Sequence, residues 1–248
     1  MTESRRRAIA ALFLLAPVPS IGVWAAMVGS PGPFGHAVFL GAKLWLLVFP
    51  AAWWFVVEKG RPSWWPLRRG ENEARLERQI LPADGLRRRG PGYWVGALSG
   101  LAFGAIIIFG SLLVGVQRID LGPLHNAVRD MGLATPAAFL AGALGWTLVN
   151  SLVEEYVYRW FILRQCDTLL SKWPAIVAQS SIFTLHHVIA VSRYLSPGFT
   201  ALASCGVFAG GAVWAWLYFR YRSIWPGWIS HVLADVAVFA LGWKLLFG

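Results

Sequence analysis

Three short polar motifs interrupt long apolar stretches of the chain. In order, they are Glu154-Glu155-x-x-x-Arg159, Phe183-x-x-x-His187 and His231-x-x-x-Asp235. A carboxylate or an imidazole inside a membrane is costly unless it is paired, protonated or next to water. Carboxylates and imidazoles are also the side chains that exchange protons with a reacting group. The placement therefore predicts a functional site at membrane depth.

The two adjacent glutamates have different surroundings on a helix. Glu155 and Arg159 are four residues apart and share a face, so they can form an ion pair. Glu154 lies about 100° around the axis, on the face of Tyr158, and no cation stands three or four residues from it. A buried carboxylate without a partner is hard to explain without a function. We therefore expect Glu155 to be a structural partner and Glu154 to carry the chemistry.

The histidines supply the second half of the expected site. His231 and Asp235 are four residues apart, so Asp235 can accept a hydrogen bond from the imidazole and fix its tautomer. His186 and His187 leave their helix in different directions, and we expect at most one of them to join the site. His187 lies deeper in its helix than His231 does in its own, so periodicity alone does not bring the two together.

Composition predicts a polytopic, all-α membrane protein. Of 248 residues, 57% are hydrophobic and only 14% are charged, whereas soluble domains carry about 25% charged residues. Apolar runs of roughly 20 residues suit membrane spans. They predict seven helices, or six if the first is cleaved and eight if the fourth breaks. The predicted spans are Ala8–Met27, Ala37–Val57, Tyr93–Val116, Pro136–Leu163, Pro174–Val191, Phe199–Phe219 and Trp225–Leu246.

The net charge of +10 indicates orientation and not nucleic-acid binding, because no nucleic-acid motif accompanies it. Most of the 22 Lys and Arg residues fall in the connections on one side of the predicted spans. The excess predicts an amino terminus in the cytoplasm. The exceptions are Lys43, Arg118, Arg129, Arg193 and Lys244.

We expect one integral membrane domain over residues 1–248. Residues 1–135 hold the amino-terminal helices and a basic cytoplasmic loop, 58–92, and residues 136–248 hold the three motifs. Within the loop, Glu71–Leu81 has apolar residues at helical spacing. It reads either as an interfacial helix on anionic lipid or as a solvated loop that fixes topology.

Two stripes of glycine recur every four residues in the predicted spans. Gly96, Gly100 and Gly104 form one stripe, and Gly206 with Gly210 forms the other. Glycine at this spacing lets helix backbones approach closely in a membrane. We expect both stripes to be packing surfaces.

The three motifs together resemble those of the CAAX-prenyl-protease-like, or CPBP, intramembrane endopeptidase family. The resemblance covers roughly residue 136 to the carboxyl terminus, and it implies a glutamate-dependent peptidase without a cofactor. In such an enzyme Glu154 and His187 would hold and deprotonate a water that attacks the scissile carbonyl. His231 and the residue at position 235 would stabilise the resulting oxyanion.

The chain departs from the family at the last motif position. Many members have Asn there, whereas this chain has Asp235. An ionised aspartate would repel an oxyanion, so Asp235 must either be protonated or orient His231. The resemblance also implies that Phe183 packs beside His187, and it gives His186 no role.

The expected substrate is a membrane-anchored protein or peptide, cut near its lipid-embedded end. The compact length and the absence of organelle signals favour a bacterial cell membrane, in which case a prenylated substrate is not expected. Two alternatives remain. Glu154, His187 and His231 could hold zinc with room for a water, although the chain lacks a His-Glu-x-x-His helix. The buried acids and histidines could instead relay protons in a transporter or belong to a non-catalytic membrane partner, although no internal repeat is visible.

Overall fold

The computed structural model describes residues 1–60, 92–115 and 121–248, and this part of the chain contains helices and no strand. Within these described residues, seven helices are long and apolar enough to cross a membrane. The predicted all-α bundle of a multi-pass membrane protein is confirmed. The inside amino terminus stays a prediction, and the interfacial helix expected at Glu71–Leu81 lies outside the described residues.

Eight helices make up the described parts of the chain, and all but the short α4 are candidate membrane spans. They are α1 (Glu3–Gly29), α2 (Pro33–Val56), α3 (Tyr93–Val114), α4 (Gly122–Asp130), α5 (Pro136–Leu169), α6 (Lys172–Val191), α7 (Pro197–Tyr221) and α8 (Trp225–Phe247).

Helix α5 carries the first motif and changes its winding along its length. Thr135 caps its start, because the Thr135 hydroxyl accepts a hydrogen bond from the Ala138 amide at 3.3 Å. Two π-helical segments, Gly145–Asn150 and Glu155–Ile162, interrupt the α-helical winding. The helix is nevertheless continuous over Pro136–Leu169, so the break that would have made an eighth span does not occur. Wider π turns often occur at functional sites, and Glu154 lies directly between these two.

The core of the bundle forms around α5. Phe161 and Ile162 of α5 are fully buried, together with Leu15 of α1 and Leu217 of α7. Large apolar side chains such as Leu113 cover the outside of the helices, which suits a surface that faces lipid. The polar residues of the motifs therefore lie inside a packed apolar body.

The glycine stripe of α3 is a packing surface, as expected. A Cβ atom at Gly100 would lie 2.8 Å from the Leu233 Cβ and 2.8 Å from the Ser230 carbonyl oxygen, both on α8. The expectation for α7 was wrong. No described atom lies within 4 Å of a Cβ placed at Gly206, and a Cβ at Gly210 would meet Trp214 of the same helix. The second stripe brings no helices together because its glycines face open space or their own helix.

Candidate active site

Glu154 is a buried carboxylate whose two oxygen atoms have different neighbours. The side chain of Asn150 donates a hydrogen bond to Oε1 at 2.9 Å, and Nε2 of His186 lies 3.9 Å from the same oxygen. Oε2 instead lies 3.7 Å from Nε2 of His231. Glu154 is only 8% exposed. The carboxylate predicted to carry the chemistry therefore stands between two histidine-bearing helices.

Both histidines of α6 lie beside Glu154. Their ring centroids are 4.1 Å apart, and ligand-capable atoms of Glu154, His186 and His187 all lie within 4.8 Å of one another. The expectation that at most one of these histidines joins the site was wrong. Neighbouring side chains leave a helix about 100° apart, but here the two imidazole rings converge until both reach the carboxylate.

The protonation of two imidazole nitrogens follows from their partners. Nδ1 of His187 lies 3.0 Å from the Phe183 carbonyl oxygen, and Nδ1 of His231 lies 3.1 Å from Oε1 of Glu155. A carbonyl oxygen and an ionised carboxylate only accept hydrogen bonds, so each Nδ1 must be the donor. The remaining Nε2 atom of each ring is then the one that can exchange a proton with a reacting group.

Glu155, and not Asp235, fixes the tautomer of His231. Oδ1 of Asp235 lies 3.8 Å from Nε2 of His231, which is too long for a hydrogen bond. The four-residue spacing of His231 and Asp235 on one helix predicts a hydrogen bond between them, and this prediction is wrong. Helix α8 instead presents Nδ1 of His231 to α5, where Glu155 accepts the hydrogen bond, and the Asp235 carboxyl group lies near Nε2.

The predicted ion pair of Glu155 and Arg159 is present, with NH1 and Oε1 at 3.2 Å, and both side chains are fully buried. The Arg159 guanidinium also lies 4.5 Å from the ring centre of Phe183 and 4.9 Å from that of Trp214. Contacts of this kind stabilise a cation that has lost its water. A Cβ atom at Gly227 would lie 2.5 Å from Oε2 of Glu155, so glycine lets α8 approach the pair.

Aromatic rings form the walls of the site. Phe183 packs against His187 with ring centroids 4.6 Å apart, as expected. Trp214 stacks on His231 at 3.9 Å and 18° between the planes, and its indole N–H donates to the Ser230 hydroxyl at 3.0 Å. The stacking fixes the plane of the His231 ring while Glu155 fixes its direction. No motif marks Trp214 among the fifteen tryptophans of the sequence.

Comparison with known proteins agrees with this arrangement. Residues 133–237 match the family model described as type II CAAX prenyl endopeptidase, Rce1-like, and all three motifs fall within that range. The segment is similar to Rce1-like domains. The resemblance inferred from the motifs is thereby confirmed, and the family is one of membrane-bound peptidases. No curated protein and no solved structure matches the chain.

One polar residue near the candidate site comes from outside the matched segment. Lys43 of α2 donates a hydrogen bond from Nζ to Oδ1 of Asn150 at 2.6 Å, and Asn150 in turn contacts Glu154. Helical spacing around Glu154 does not reveal Lys43, which lies on another helix. Asn150 was missed because only cations were considered as partners of the carboxylate. A signal existed, since Lys43 is the one ionisable residue in the predicted span Ala37–Val57.

A small cavity adjoins Glu154. Helices α1, α2, α5 and α6 line it, with Lys43, Glu154, Tyr158 and His186 as polar groups. About 20 Å³ of it is open to the centre of a water molecule, and one water needs roughly 10–15 Å³. The cavity can therefore hold a single water beside the carboxylate.

Proposed function

We propose that this chain is an intramembrane endopeptidase that cuts a membrane-associated or lipid-anchored protein or peptide, using a water molecule activated by Glu154 and His187. The main support for this proposal is that ligand-capable atoms of Glu154 and of the two α6 histidines lie within 4.8 Å of one another. All three residues belong to the segment that matches Rce1-like endopeptidases. The family match also favours peptide hydrolysis over proton transport.

Glu154 is the proposed general base. It takes a proton from water as the water oxygen forms a bond to the scissile carbonyl carbon, and it returns that proton to the amine nitrogen when the carbon–nitrogen bond breaks. His187 assists because its Nδ1 proton is held by the Phe183 carbonyl oxygen at 3.0 Å, which leaves Nε2 as an acceptor for the water. The cavity lined by Glu154 and His186 has room for one water beside the carboxylate.

His231 is the proposed partner of the developing oxyanion. Its ring is held by Glu155 at Nδ1 and by the Trp214 face, so little reorganisation is needed during the reaction. We propose that the ring also carries a proton at Nε2, 3.8 Å from Asp235, so that it presents an N–H donor with positive charge. Asp235 would then balance the imidazolium and would not contact the oxyanion itself.

The surroundings of the site favour a substrate that arrives through the lipid. The motifs lie on three candidate membrane spans, and large apolar side chains cover the outside of the bundle. We propose a bacterial cell membrane as the location, with the amino terminus and the basic loop 58–92 on the cytoplasmic side against anionic lipid. Cleavage would then occur near the lipid-embedded end of the substrate.

A comparison of protein termini tests this function in cells. Membrane-protein termini are identified by mass spectrometry in a strain with the wild-type protein and in one with Glu154→Gln. We expect a small set of membrane-anchored proteins to keep an additional segment in the variant strain, because the peptide bond is no longer hydrolysed. Identical termini in the two strains would argue against a processing enzyme.

A zinc peptidase is a second candidate, supported by a different observation. Glu154, His186 and His187 form a group whose ligand atoms could hold a metal ion, and zinc with three protein ligands activates a bound water. This group differs from the set predicted from sequence. It contains His186 in place of His231.

Metal analysis of purified, active protein separates the two mechanisms. The metal-free mechanism predicts less than stoichiometric zinc and unchanged peptide cleavage after treatment with a chelator. Stoichiometric zinc that the chelator removes together with activity, and that added zinc restores, would establish the metal mechanism instead. The Glu154→Gln protein, which lacks one of the candidate ligands, shows how much zinc binds non-specifically.

A further inference from the structure

We propose that Lys43 is a positioning residue, which holds the Glu154 carboxylate in its working orientation through Asn150. The proposal rests on the proposed function of Glu154 as the general base. It adds to the site a helix, α2, that lies outside the Rce1-like segment.

The location of Lys43 requires an explanation. It lies near the middle of α2 (Pro33–Val56), a candidate membrane span with high mean hydropathy. A lysine at that depth is rare and is by default a sign of function. Its ammonium group lies 5.4 Å from the Phe39 ring centre and 5.5 Å from that of Trp146, which partly offsets the loss of water.

The hydrogen bonds from Lys43 to Glu154 have only one possible direction. Nζ of Lys43 donates to Oδ1 of Asn150 at 2.6 Å, and Nδ2 of Asn150 donates to Oε1 of Glu154 at 2.9 Å. An ammonium group only donates and a carboxylate only accepts, so a turned Asn150 amide would lose both bonds. Lys43 therefore fixes which way the Asn150 amide points.

The fixed Asn150 amide gives the two carboxylate oxygens of Glu154 different roles. Oε1 is occupied as an acceptor by Asn150, while Oε2 faces His231, whose Nε2 lies 3.7 Å away and thus beyond hydrogen-bond distance. Oε2 is then the oxygen that takes the proton from water. A carboxylate free to rotate would present either oxygen, and a misplacement of about 1 Å can lower a rate roughly 100-fold.

Charge balance gives Lys43 a second reason to be there. Glu154, Glu155 and Asp235 place three carboxyl groups around His231, and Arg159 is the guanidinium paired with one of them. As an ammonium group, Lys43 brings a further positive charge to the Glu154 side through Asn150. Hydrogen bonds to charged groups are roughly twice as strong as those between neutral groups. The charges of Lys43 and Glu154 therefore strengthen both hydrogen bonds of the Asn150 side chain.

The test is a double-mutant cycle on purified protein in lipid vesicles. The substrate is the most rapidly cleaved peptide found in a mixture of membrane-anchored peptides with randomised sequences next to the anchor. Lys43→Met and Asn150→Leu are each expected to lower kcat about 10- to 100-fold and to leave KM within about twofold of the wild type. The double variant is expected to be no slower than Asn150→Leu alone, because Lys43 acts only through Asn150.

Conservative and matched variants separate positioning from general structure. Lys43→Arg keeps a charged donor and is expected to recover most of the lost kcat. Lys43→Gln keeps a hydrogen-bond donor but loses the charge, and it is also expected to lower kcat. It replaces Lys43→Met in the test if the methionine variant does not fold. Lys172→Met removes another lysine that lies over two aromatic rings, Trp173 and Phe219, and it is expected to leave kcat unchanged.

Three outcomes would overturn the proposal: wild-type kcat in folded Lys43→Met protein, multiplicative losses in the double variant, or no recovery with Lys43→Arg. Glu154→Gln is measured beside them so that the two proposals can fail separately. If Glu154→Gln is inactive and Lys43→Met is fully active, only the positioning role fails. If Glu154→Gln is itself active, the proposed function fails.

Discussion

Glu154→Gln is expected to lower the rate of peptide cleavage by about 10²- to 10⁴-fold, the range that a general base contributes. Glutamine keeps the size of the side chain and can still accept a hydrogen bond from Asn150, which lies 2.9 Å from Oε1 of Glu154. It cannot take a proton from water. The thermal midpoint of unfolding should therefore stay close to that of the wild type while activity is lost.

A second glutamate provides the control for this substitution. Glu58 accepts hydrogen bonds from Arg164 at 2.6 Å and from Gln165 at 2.7 Å, near the carboxyl-terminal end of α5. Glu58→Gln should keep wild-type activity. Equal activity of the Glu154→Gln and wild-type proteins would show that another group removes the proton.

Arg159→Met is expected to destabilise the protein by about 3–5 kcal/mol, the cost of removing one partner from a buried ion pair. The substitution leaves the Glu155 carboxylate fully buried without its cation, although Nδ1 of His231 still donates to it. It also removes the guanidinium that packs on the faces of Phe183 and Trp214. The free energy of unfolding in detergent measures the effect.

An exposed ion pair with the same spacing is the matched control. Glu3 and Arg7 are also four residues apart on a helix, but their side chains are 76% and 41% exposed. Glu3→Gln should change the free energy of unfolding by less than about 0.5 kcal/mol, because exposed pairs contribute little. A similarly small loss in the Arg159→Met protein would contradict a structural role for the buried pair.

The elements that sequence predicts best here are those set by local pattern. Apolar runs of membrane-spanning length gave the seven spans. The four-residue spacing of Glu155 and Arg159 gave their ion pair. That pair forms even though the segment Glu155–Ile162 is π-helical, because long side chains can bridge the wider turn.

Contacts between helices were the part that pattern could not supply. The hydrogen bond from His231 to Glu155, the stacking of Trp214 and the approach of both α6 histidines depend on how α5, α6, α7 and α8 pack. Lys43 shows the same limit, since residues 43 and 150 are distant in sequence and meet only in the folded bundle. Helical periodicity assigns a residue to a face but does not say which helix that face meets.

Product analysis in water enriched in ¹⁸O tests the central claim most directly. Purified wild-type and Glu154→Gln proteins in lipid vesicles are incubated with the mixture of membrane-anchored peptides, and mass spectrometry identifies the fragments. A glutamate-activated water predicts fragments whose new carboxyl terminus carries ¹⁸O, formed by the wild-type protein and not by the variant. The same labelled fragments in equal amounts from both proteins, or no cleavage by either, would contradict the assignment of Glu154 as the base of an intramembrane endopeptidase.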